Sequence, residues 1–331
     1  MADVALRNVT KTYGAATALD DVTLEIEDGS FVVLLGPTGA GKTTTLRLIS
    51  GLDRPDAGQI EIGGRPVLND TPAQRDVAMV FQQYSLYPHM TVRENLAFPL
   101  RSPILRTPED EIKRKIQEVA EVLRISHKLD NKATALSGGE MQRVSIGRAL
   151  VRAPSIYLMD EPLSSLDAKL RAELRVEIKR IHAALGATLL YVTHDQIEAM
   201  TMATHIGVLD QGRLVQFGSP REIYENPRNL YVAGRLGLPR INALPADLFA
   251  GAPAGANTIG LRPEHIQHGE GKPSRVTRIE YLGDQTRLHL NLDGYDIVTL
   301  TDVDTDLEPG DSVAIQPRNP LYFDASGARI A

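Results

Sequence analysis

The segment that most constrains the fold of this chain is a glycine-rich loop placed directly after five apolar residues. The run Phe31–Leu35 is typical of a buried strand, and the next residues match the pattern G-x-x-x-x-G-K-[ST]. In that pattern a strand, a phosphate-binding loop and a helix follow one another. The order predicts an α/β domain that binds a nucleotide through its phosphates. The expected contacts are Gly36, Pro37, Thr38, Gly39, Ala40, Gly41, Lys42, Thr43 and Thr44.

The residue types in the loop explain how it would hold phosphate groups. Gly36, Gly39 and Gly41 let the backbone curl so that successive amides face the anion, and the following helix presents its positive end there. Lys42 would pair with the β- and γ-phosphates, and the Thr43 hydroxyl would bind Mg²⁺. An accidental glycine-rich turn is the alternative, but average composition produces such a match in only about one chain of this length in a hundred. We therefore predict a nucleotide site that uses Mg²⁺.

A second apolar run ends in two carboxylates. Ile156–Met159 predicts a buried strand, and Asp160 and Glu161 follow at the sheet edge where α/β folds place their ligands. We expect Asp160 to hold Mg²⁺, usually through water, and Glu161 to act as general base or to polarise the attacking water. The alternative is an acidic pair that starts a helix before Pro162. Beside an accepted phosphate loop, that alternative is the weaker interpretation.

Composition narrows the class of protein. A chain of 331 residues is long enough for two or more domains. The absence of cysteine excludes disulfides, thiolate catalysis and Cys-ligated zinc, and it fits a reducing cytoplasm. A net charge of −6 argues against a nucleic-acid partner. Because no apolar stretch approaches the ~18–20 residues that cross a bilayer, a transport role would need membrane subunits on other chains.

The predicted elements divide the chain into two domains. Residues 1–235 alternate short strands with helices, and a helical insertion occupies roughly 84–150. Within the insertion we expect Thr107 as an N-cap and Pro108 as the first helical residue. Residues 236–331 begin with a boundary segment that contains Pro239, Pro245 and the Ala/Gly/Pro-rich run Ala250–Ala256, and five short strand candidates beyond it predict a small β-barrel. The candidates are Val276–Tyr281, Thr286–Asn291, Tyr295–Leu300, Ser312–Gln316 and Leu321–Phe323.

The segment Leu136–Glu140 lies between the phosphate loop and the carboxylates and reads LSGGE. With the other two motifs in this order, the chain resembles the ATPase subunit of an ABC transporter over about its first 235 residues. The resemblance implies a head-to-tail dimer with two ATP molecules between the chains, in which this segment closes over the γ-phosphate bound by a second copy. The loop Ser164–Asp167 would cross the same interface. The residues assigned to this shared site are Ser137, Gly138, Gly139, Glu140 and Asp167.

The resemblance implies roles for three further residues. Gln82 matches the glutamine that contacts Mg²⁺ or water and links the site to the membrane subunits. His194, after the predicted strand Thr188–Val192, matches the switch histidine that contacts the γ-phosphate, a role that suits a neutral donor or a cation. Tyr13 matches the aromatic residue that stacks on adenine. A core tyrosine is the competing interpretation of Tyr13.

Other segments indicate which kind of ABC protein the chain resembles. Tyr87–Leu96, Leu163–Arg171 and Gly260–Glu264 resemble ATPases of the maltose and glycerol-3-phosphate importer group, whose tails form OB-type barrels. The implied fold is therefore an α/β ABC ATPase cassette with a helical insertion, followed by a small OB-like β-barrel domain. The implied activity is ATP hydrolysis that powers import of a sugar or sugar-like solute through separate transmembrane permease subunits. An extracytoplasmic solute-binding protein would take part indirectly, and the chain would be peripheral at the cytoplasmic face of the inner or plasma membrane.

Two alternatives stay open from the residues alone. Importers of polyamines, metals such as iron, and oxyanions such as molybdate share much of this architecture, so another small solute is possible. A soluble ATP-dependent regulator is an alternative from a different class. It would work without transmembrane partners, so membrane association separates it from an importer subunit.

Overall fold

The computed structural model describes residues 2–103 and 105–330. These residues divide between Pro220 and Arg221 into two units. The strands of the first unit are β1 (Val4–Tyr13), β2 (Ala16–Ile26), β3 (Phe31–Leu35), β4 (Ala57–Ile62), β5 (Arg65–Pro66), β6 (Val77–Val80), β7 (Ile156–Asp160), β8 (Thr188–Thr193), β9 (His205–Asp210) and β10 (Arg213–Gly218). Its α-helices are α1 (Lys42–Ser50), α2 (Val92–Ala97), α3 (Glu109–Val122), α4 (Gly138–Leu150), α5 (Ala168–Leu185) and α6 (Gln196–Met202). Short 3-10 helices occupy Pro72–Gln74, Ser126–Lys128 and Ala133–Ala135.

The central sheet of the first unit brings four loops to one edge. Its strand order is β10-β9-β3-β8-β7-β6, and the strands from β9 to β6 are parallel. Leu35 of β3 pairs with Thr193 of β8, and Asp160 of β7 pairs with Val192 of β8, so these strands end at nearly the same level. The carboxyl ends of parallel strands share one edge. The phosphate loop and the segments that follow β6, β7 and β8 therefore meet there.

The apolar runs in the sequence are explained by the burial of both faces of this sheet. Every residue of β3 and of β7 is buried, as is typical of parallel strands covered on two sides. A second sheet, with strand order β2-β1-β4-β5, shares the core. That core includes Leu6 of β1, Leu24 of β2, Leu34 of β3 and Leu46 of α1. Burial of each such side chain contributes about 1.5–3 kcal/mol, which holds the strands that carry the loops in place.

Helices α2, α3 and α4 lie in the segment that was predicted to be a helical insertion. The predicted start of α3 was wrong by one residue. Pro108 is the N-cap rather than the first helical residue, because its ψ of 146° is extended and its carbonyl accepts the bond from the amide of Ile112 at 3.0 Å. Glu109 and Asp110 follow in the first turn, where acidic side chains oppose the positive end of the helix dipole.

The second unit is built mainly from antiparallel strands. Its strands are β11 (Asn242–Pro245), β12 (Thr258–Leu261), β13 (Ile266–Tyr281), β14 (Thr286–Leu292), β15 (Tyr295–Thr301), β16 (Ser312–Pro317), β17 (Leu321–Phe323) and β18 (Arg329–Ile330). Its α-helices are α7 (Pro220–Glu225), which starts at the division, and α8 (Leu230–Ala233), with 3-10 turns at Ala246–Leu248 and Pro263–His265. The strands form two sheets, β11-β12-β17-β18 and β15-β14-β13-β16. All five predicted strands are present, and the antiparallel arrangement agrees with the predicted OB-like domain.

Arg262 hydrogen-bonds to residues 224–236, the segment that precedes the β strands of the second unit. It is only 2% exposed, and its guanidinium donates to the carbonyls of Tyr224 at 2.9 Å, Ala233 at 3.1 Å and Leu236. The guanidinium also lies 3.8 Å from the centre of the Tyr224 ring. The contacts lie on the second-unit side of the division before Arg221, whereas the sequence pattern placed the domain boundary after Arg235.

Replacing Arg262 with lysine should destabilise the second unit. A single ammonium cannot reproduce the planar fork that donates to three carbonyls, so buried acceptors would lose their partners. We expect the free energy of unfolding of this unit to fall by about 2–4 kcal/mol. Hydrogen exchange of residues 221–330 in the full chain measures the change. Arg278→Lys is the matched control, because that side chain is 63% exposed; equal protection in both variants would contradict the assignment.

Candidate nucleotide site

The phosphate loop follows β3 directly and ends in the first turn of α1. Gly41 has a φ of 100°, and a Cβ at this position would lie 2.5 Å from the carbonyl oxygen of Ala18. Only glycine fits this approach. The first intrahelical bond of α1 runs from the amide of Thr45 to the carbonyl of Gly41 at 2.9 Å. Amides before that point lie outside the helical ladder, so the amides of residues 41–44 are available to an anion.

The Lys42 ammonium lies at the centre of the loop. Its side chain is 5% exposed, and Nζ donates to the carbonyls of Gly36 at 2.9 Å and Pro37 at 3.0 Å. Nζ also lies 3.5 Å from Oε1 of Glu161. The loop thus fixes a buried positive charge beside the free amides, which is the combination that binds the phosphates of a nucleotide.

Asp160 and Thr43 form a pair of oxygen ligands beside the loop. The Thr43 hydroxyl donates to Oδ1 of Asp160 at 2.9 Å, and Asp160 is only 7% exposed. Burial raises the pKa of Asp160. Among residues 2–103 and 105–330, no group of three or more His, Cys, Asp or Glu side chains could hold a metal ion. Two hard oxygen atoms of this kind fit Mg²⁺, which is usually bound through one or two protein ligands together with water and phosphate oxygens.

Glu161 lies between two basic side chains in an unusual backbone conformation. Its Oε2 is 3.0 Å from Nδ1 of His194, and its Oε1 faces Lys42. The φ of Glu161 is 42°, and its amide donates to the carbonyl of Val192 at 3.1 Å. Left-handed backbone in a residue other than glycine costs free energy and persists where the surrounding structure imposes it. The strand pairing of β7 and β8 therefore fixes the direction of this carboxylate.

Gln82 is connected to the site by Ser164, a residue that had not been singled out from the sequence. Its Nε2 donates to Oγ of Ser164 at 3.4 Å, and that hydroxyl donates to the carbonyl of Glu161 at 2.9 Å. Ser164 had been noted only as part of a loop expected to cross a dimer interface. Its hydroxyl links the segment after β6 to the segment after β7.

Tyr13 is the last residue of β1 and is 45% exposed. Its hydroxyl donates to Oδ2 of Asp53. Burial, together with this hydrogen bond, raises the pKa of Tyr13. A half-exposed ring at the end of a strand is accessible to a ligand, and the interpretation of Tyr13 as a core residue does not fit this exposure.

The loop, Tyr13 and the residues after β6 and β7 line one cleft of about 310 Å³. This volume lies at the lower end of the range of small-molecule sites, about 300–1,000 Å³. Every lining residue except Ala18 had been predicted from the sequence. The lining consists of Tyr13, Ala18, Thr38, Gly39, Gly41, Lys42, Thr43, Thr44, Gln82 and Glu161.

The residues predicted for the shared site do not line this cleft. Ser137 is the N-cap of α4, and its hydroxyl and amide both donate to Oε2 of Glu140. A Cβ on Gly139 would lie 2.2 Å from a terminal methyl group of Leu170, so the start of α4 packs against the side chain of Leu170 of α5, which would have to shift to admit a larger residue. Asp167 is the N-cap of α5 and accepts from the amide of Leu170 at 3.0 Å. These residues therefore form a second surface outside the cleft of the same chain.

A buried network supports the segment that carries His194. The Tyr191 hydroxyl donates to Oε2 of Glu198 at 2.9 Å, and Asp195 caps α6 by accepting from the amide of Ile197 at 2.7 Å. Arg171 of α5 lies 3.5 Å from Asp195. The contacts of Tyr191 with Glu198 and of Arg171 with Asp195 join different elements, so the sequence did not indicate them. The N-cap Asp195 is a local signal that sequence reasoning could have found.

Glu198 should make the stability of the first unit depend on pH. Burial raises the pKa of Glu198, which is 2% exposed, whereas an unfolded glutamate titrates near ~4.3. Between the pKa of the unfolded glutamate and the raised pKa of folded Glu198, the folded state binds more protons than the unfolded state. The free energy of unfolding therefore falls as the pH rises through this range. Glu198→Gln should flatten this slope.

The slope is measured by urea unfolding between about pH 4 and 7. Unfolding is monitored by the helical circular dichroism signal, which arises mainly from the first unit. The exposed Glu118→Gln is the matched control and should keep the slope of the unaltered chain. An unchanged slope in Glu198→Gln would refute this role for Glu198.

Comparison with known proteins agrees with the geometry. An ABC transporter family model matches residues 19–164, and a TOBE domain model matches residues 259–319. An uncharacterized ABC transporter ATP-binding protein of Sinorhizobium fredii is 45% identical, over 100% of this chain and 95% of that protein. The sn-glycerol-3-phosphate import ATP-binding protein UgpC of Ruegeria pomeroyi is 47% identical, over 89% of this chain and 88% of that protein.

A solved structure shows the same fold in the cassette. It is the dimeric structure of a post-hydrolysis state of an ATP-binding cassette bound to ADP and Pi, with a TM-score of 0.59 and 32% identity. The match covers 66% of this chain and 99% of that cassette. Within residues 2–103 and 105–330, no helix has the length and apolar character that a membrane crossing requires. The phosphate loop, the LSGGE segment and the matched relatives together show that this chain belongs to the ABC transporter ATP-binding proteins, as an ATPase with a C-terminal TOBE domain.

Proposed function

We propose that this ATPase uses Mg²⁺ and powers the import of a sugar or sugar-like solute through separate transmembrane subunits. Relatives at 44–47% identity are described as sn-glycerol-3-phosphate import ATP-binding proteins. Glycerol-3-phosphate, a phosphorylated polyol, is therefore the first candidate for the solute. The observation that carries the hydrolysis part of the proposal is the position of the Glu161 carboxylate between Lys42 and His194, in the lining of the cleft.

Binding would begin at the phosphate loop. The amides of residues 41–44 and the Lys42 ammonium would hold the β- and γ-phosphates. Thr43 and Asp160 would hold Mg²⁺, and the bound ion would neutralise charge that develops on the phosphate oxygens. Gln82 also lines the cleft and would contact the ion or the attacking water.

Hydrolysis would depend on Glu161 and His194. The Glu161 carboxylate would be the base that takes a proton from water, because it lies 3.5 Å from the Lys42 ammonium that would hold the γ-phosphate. The Nδ1 atom of His194 is 3.0 Å from Glu161, so the imidazole would orient the carboxylate while its exposed side faces the phosphate. The Lys42 ammonium would pass from the carboxylate to the phosphates on binding.

Glu161→Gln should retain MgATP binding and lose most hydrolysis. The amide keeps the shape of the side chain but cannot accept a proton, so turnover should fall about 10²- to 10⁴-fold. The dissociation constant for ATP should stay within a few-fold of the unaltered value. Phosphate release and equilibrium binding measure the two quantities on the purified chain.

The exposed Glu118→Gln on α3 serves as the matched control and should hydrolyse ATP normally. Turnover of Glu161→Gln close to that of Glu118→Gln would remove Glu161 from the role of base. Loss of ATP binding in Glu161→Gln would mean that the carboxylate instead maintains the cleft.

A second copy of the chain is the proposed partner at the nucleotide. Ser137 and Asp167 lie on helix starts outside their own cleft, and the similar cassette with bound ADP and Pi is dimeric. In the proposed head-to-tail dimer, Ser137, Gly138, Gly139 and Glu140 of one chain would close over the γ-phosphate held by the other. Two ATP molecules would then lie between the chains.

Permease subunits are the proposed partners at the membrane. The chain would attach peripherally at the cytoplasmic face, and an extracytoplasmic solute-binding protein would deliver the solute to the permease. The segment from Gln82 to Pro88 starts at the nucleotide site, through the contact of Gln82 with Ser164. Gln83, Ser85 and Pro88 of this segment are exposed and therefore accessible to a partner. Cassette closure would move the permease through this segment.

Gln83→Arg should reduce solute uptake more than basal ATP hydrolysis. The added charge changes the exposed contact surface but leaves the residues of the cleft in place. Uptake in vesicles containing the assembled complex is compared with hydrolysis by the purified chain. Gln267→Arg, at an exposed position of β13, is the matched control and should affect neither.

Uptake that survives Gln83→Arg would contradict coupling through this surface. Failure to copurify any membrane protein with the full chain would favour a soluble regulator over an importer subunit.

A further inference from the structure

Asp53, in the turn after α1, connects Tyr13 of the cleft lining with helix α1. Its Oδ2 accepts a hydrogen bond from the Tyr13 hydroxyl and lies 3.7 Å from Nε of Arg47. The amide of Asp53 donates to the carbonyl of Arg47 at 3.1 Å. Tyr13 lines the cleft, while Arg47 belongs to α1, the helix that starts in the phosphate loop. One carboxylate therefore joins the aromatic residue to the helix that carries the phosphate cradle.

The bond between Tyr13 and Asp53 joins a hydroxyl donor to a charged acceptor. The hydrogen bond from Tyr13 lowers the pKa of Asp53, so the carboxylate is ionised at neutral pH. The side chain of Asp53 is 21% exposed, and its Oδ1 lies 3.7 Å from Nζ of Lys11. Hydrogen bonds to ionised groups are stronger than those between neutral groups, and partial burial strengthens them further.

Lys11 defines which face of the Tyr13 ring a ligand can use. Its Nζ lies over the ring, 5.2 Å from the centroid, and Lys11 is not part of the cleft lining. The ammonium therefore covers the ring from a side that lies outside the cleft. The hydroxyl is tethered to Asp53 and one face is covered by Lys11, which leaves the other face for a base.

Without the hydrogen bond to Asp53, the exposed Tyr13 ring would become ordered only on ligand binding, which would make the free energy of binding less favourable. Tyr13 is 45% exposed, so few apolar contacts restrict its side chain. Ordering a mobile side chain at the moment of binding costs conformational entropy, and holding it in place beforehand avoids that cost.

We propose that Asp53 is a positioning residue that holds the Tyr13 ring at a fixed place relative to the phosphate loop, so that adenine stacks while the triphosphate occupies the loop. The proposal rests on the proposed ATP site in which Tyr13 stacks on adenine. It assigns to Asp53 a contribution to the base end of the ligand and none to the phosphate end. Binding of ATP should therefore depend on Asp53, whereas binding of the triphosphate group alone should not.

The test compares MgATP with magnesium tripolyphosphate as ligands of the full chain, by calorimetry. Asp53→Asn replaces the charged acceptor with a weaker neutral one, and Tyr13→Phe removes the donor, so each should weaken ATP binding about threefold to tenfold. The double variant should bind ATP no more weakly than Tyr13→Phe, because both changes act on the same bond. Tripolyphosphate binding should stay within about twofold in all three variants, an outcome that a merely structural role for Asp53 would not give.

Asp56→Asn is the matched control. Asp56 also binds Lys11, at 3.1 Å, but its other hydrogen bonds go to Thr12 rather than to Tyr13. It should bind ATP as the unaltered chain does. Asp53→Glu, which keeps the charge, should recover part of the lost ATP affinity.

Unchanged ATP affinity in Asp53→Asn and Tyr13→Phe would overturn the inference, as would an equal loss of tripolyphosphate binding. Additive losses in the double variant would also overturn it, because the two residues would then act separately. Tyr13→Ala shows whether the positioning role of Asp53 or the stacking role of Tyr13 is wrong. If Tyr13→Ala weakens ATP binding while Asp53→Asn does not, stacking stands and the positioning role falls; if neither has an effect, the proposed role of Tyr13 falls as well.

Discussion

The alignment of parallel strand ends in the central sheet is the constraint on which the rest of the cassette depends. Strands β3, β8, β7 and β6 are neighbours, and the register of β3, β7 and β8 brings their last residues to one level. Each of these strands is followed by a different functional segment. The cleft exists because unrelated parts of the sequence leave the same sheet edge, and the shared apolar core keeps that edge in place.

The charges at this edge balance one another over short distances. Lys42 faces two carbonyls and Glu161, Glu161 faces His194, and Asp160 accepts from a hydroxyl in a buried position. A buried charge is costly without such partners. Phosphate groups and a divalent cation bring charges of the signs that this arrangement can bind, so the contacts seen in the protein can be exchanged for contacts to the ligand.

Local sequence patterns predicted the main elements and the phosphate loop, and the family resemblance supplied Tyr13 and Gln82 of the cleft lining. Neither could predict the contacts between distant elements. The phosphate loop, the strand before it and the start of α1 depend on residues that are adjacent in sequence. The bonds from Gln82 to Ser164 and from Tyr13 to Asp53 join residues 82 and 40 positions apart, so no local pattern indicates them. The bonds from Arg262 to the carbonyls of Tyr224, Ala233 and Leu236 are a further example of contacts that no local pattern indicates.

In the proposed dimer the LSGGE segment of one chain completes the cleft of the other, and cross-linking detects this arrangement. The chain has no cysteine, so a single cysteine can be placed at Thr38 in one preparation and at Ala135 in a second, both at exposed positions. A short bifunctional thiol reagent is then added to each preparation and to their mixture. If the chains pair head to tail, covalent dimers should form in the mixture, should increase strongly with MgATP, and should be rare in either preparation alone. ATP binding without such mixed dimers would contradict this arrangement.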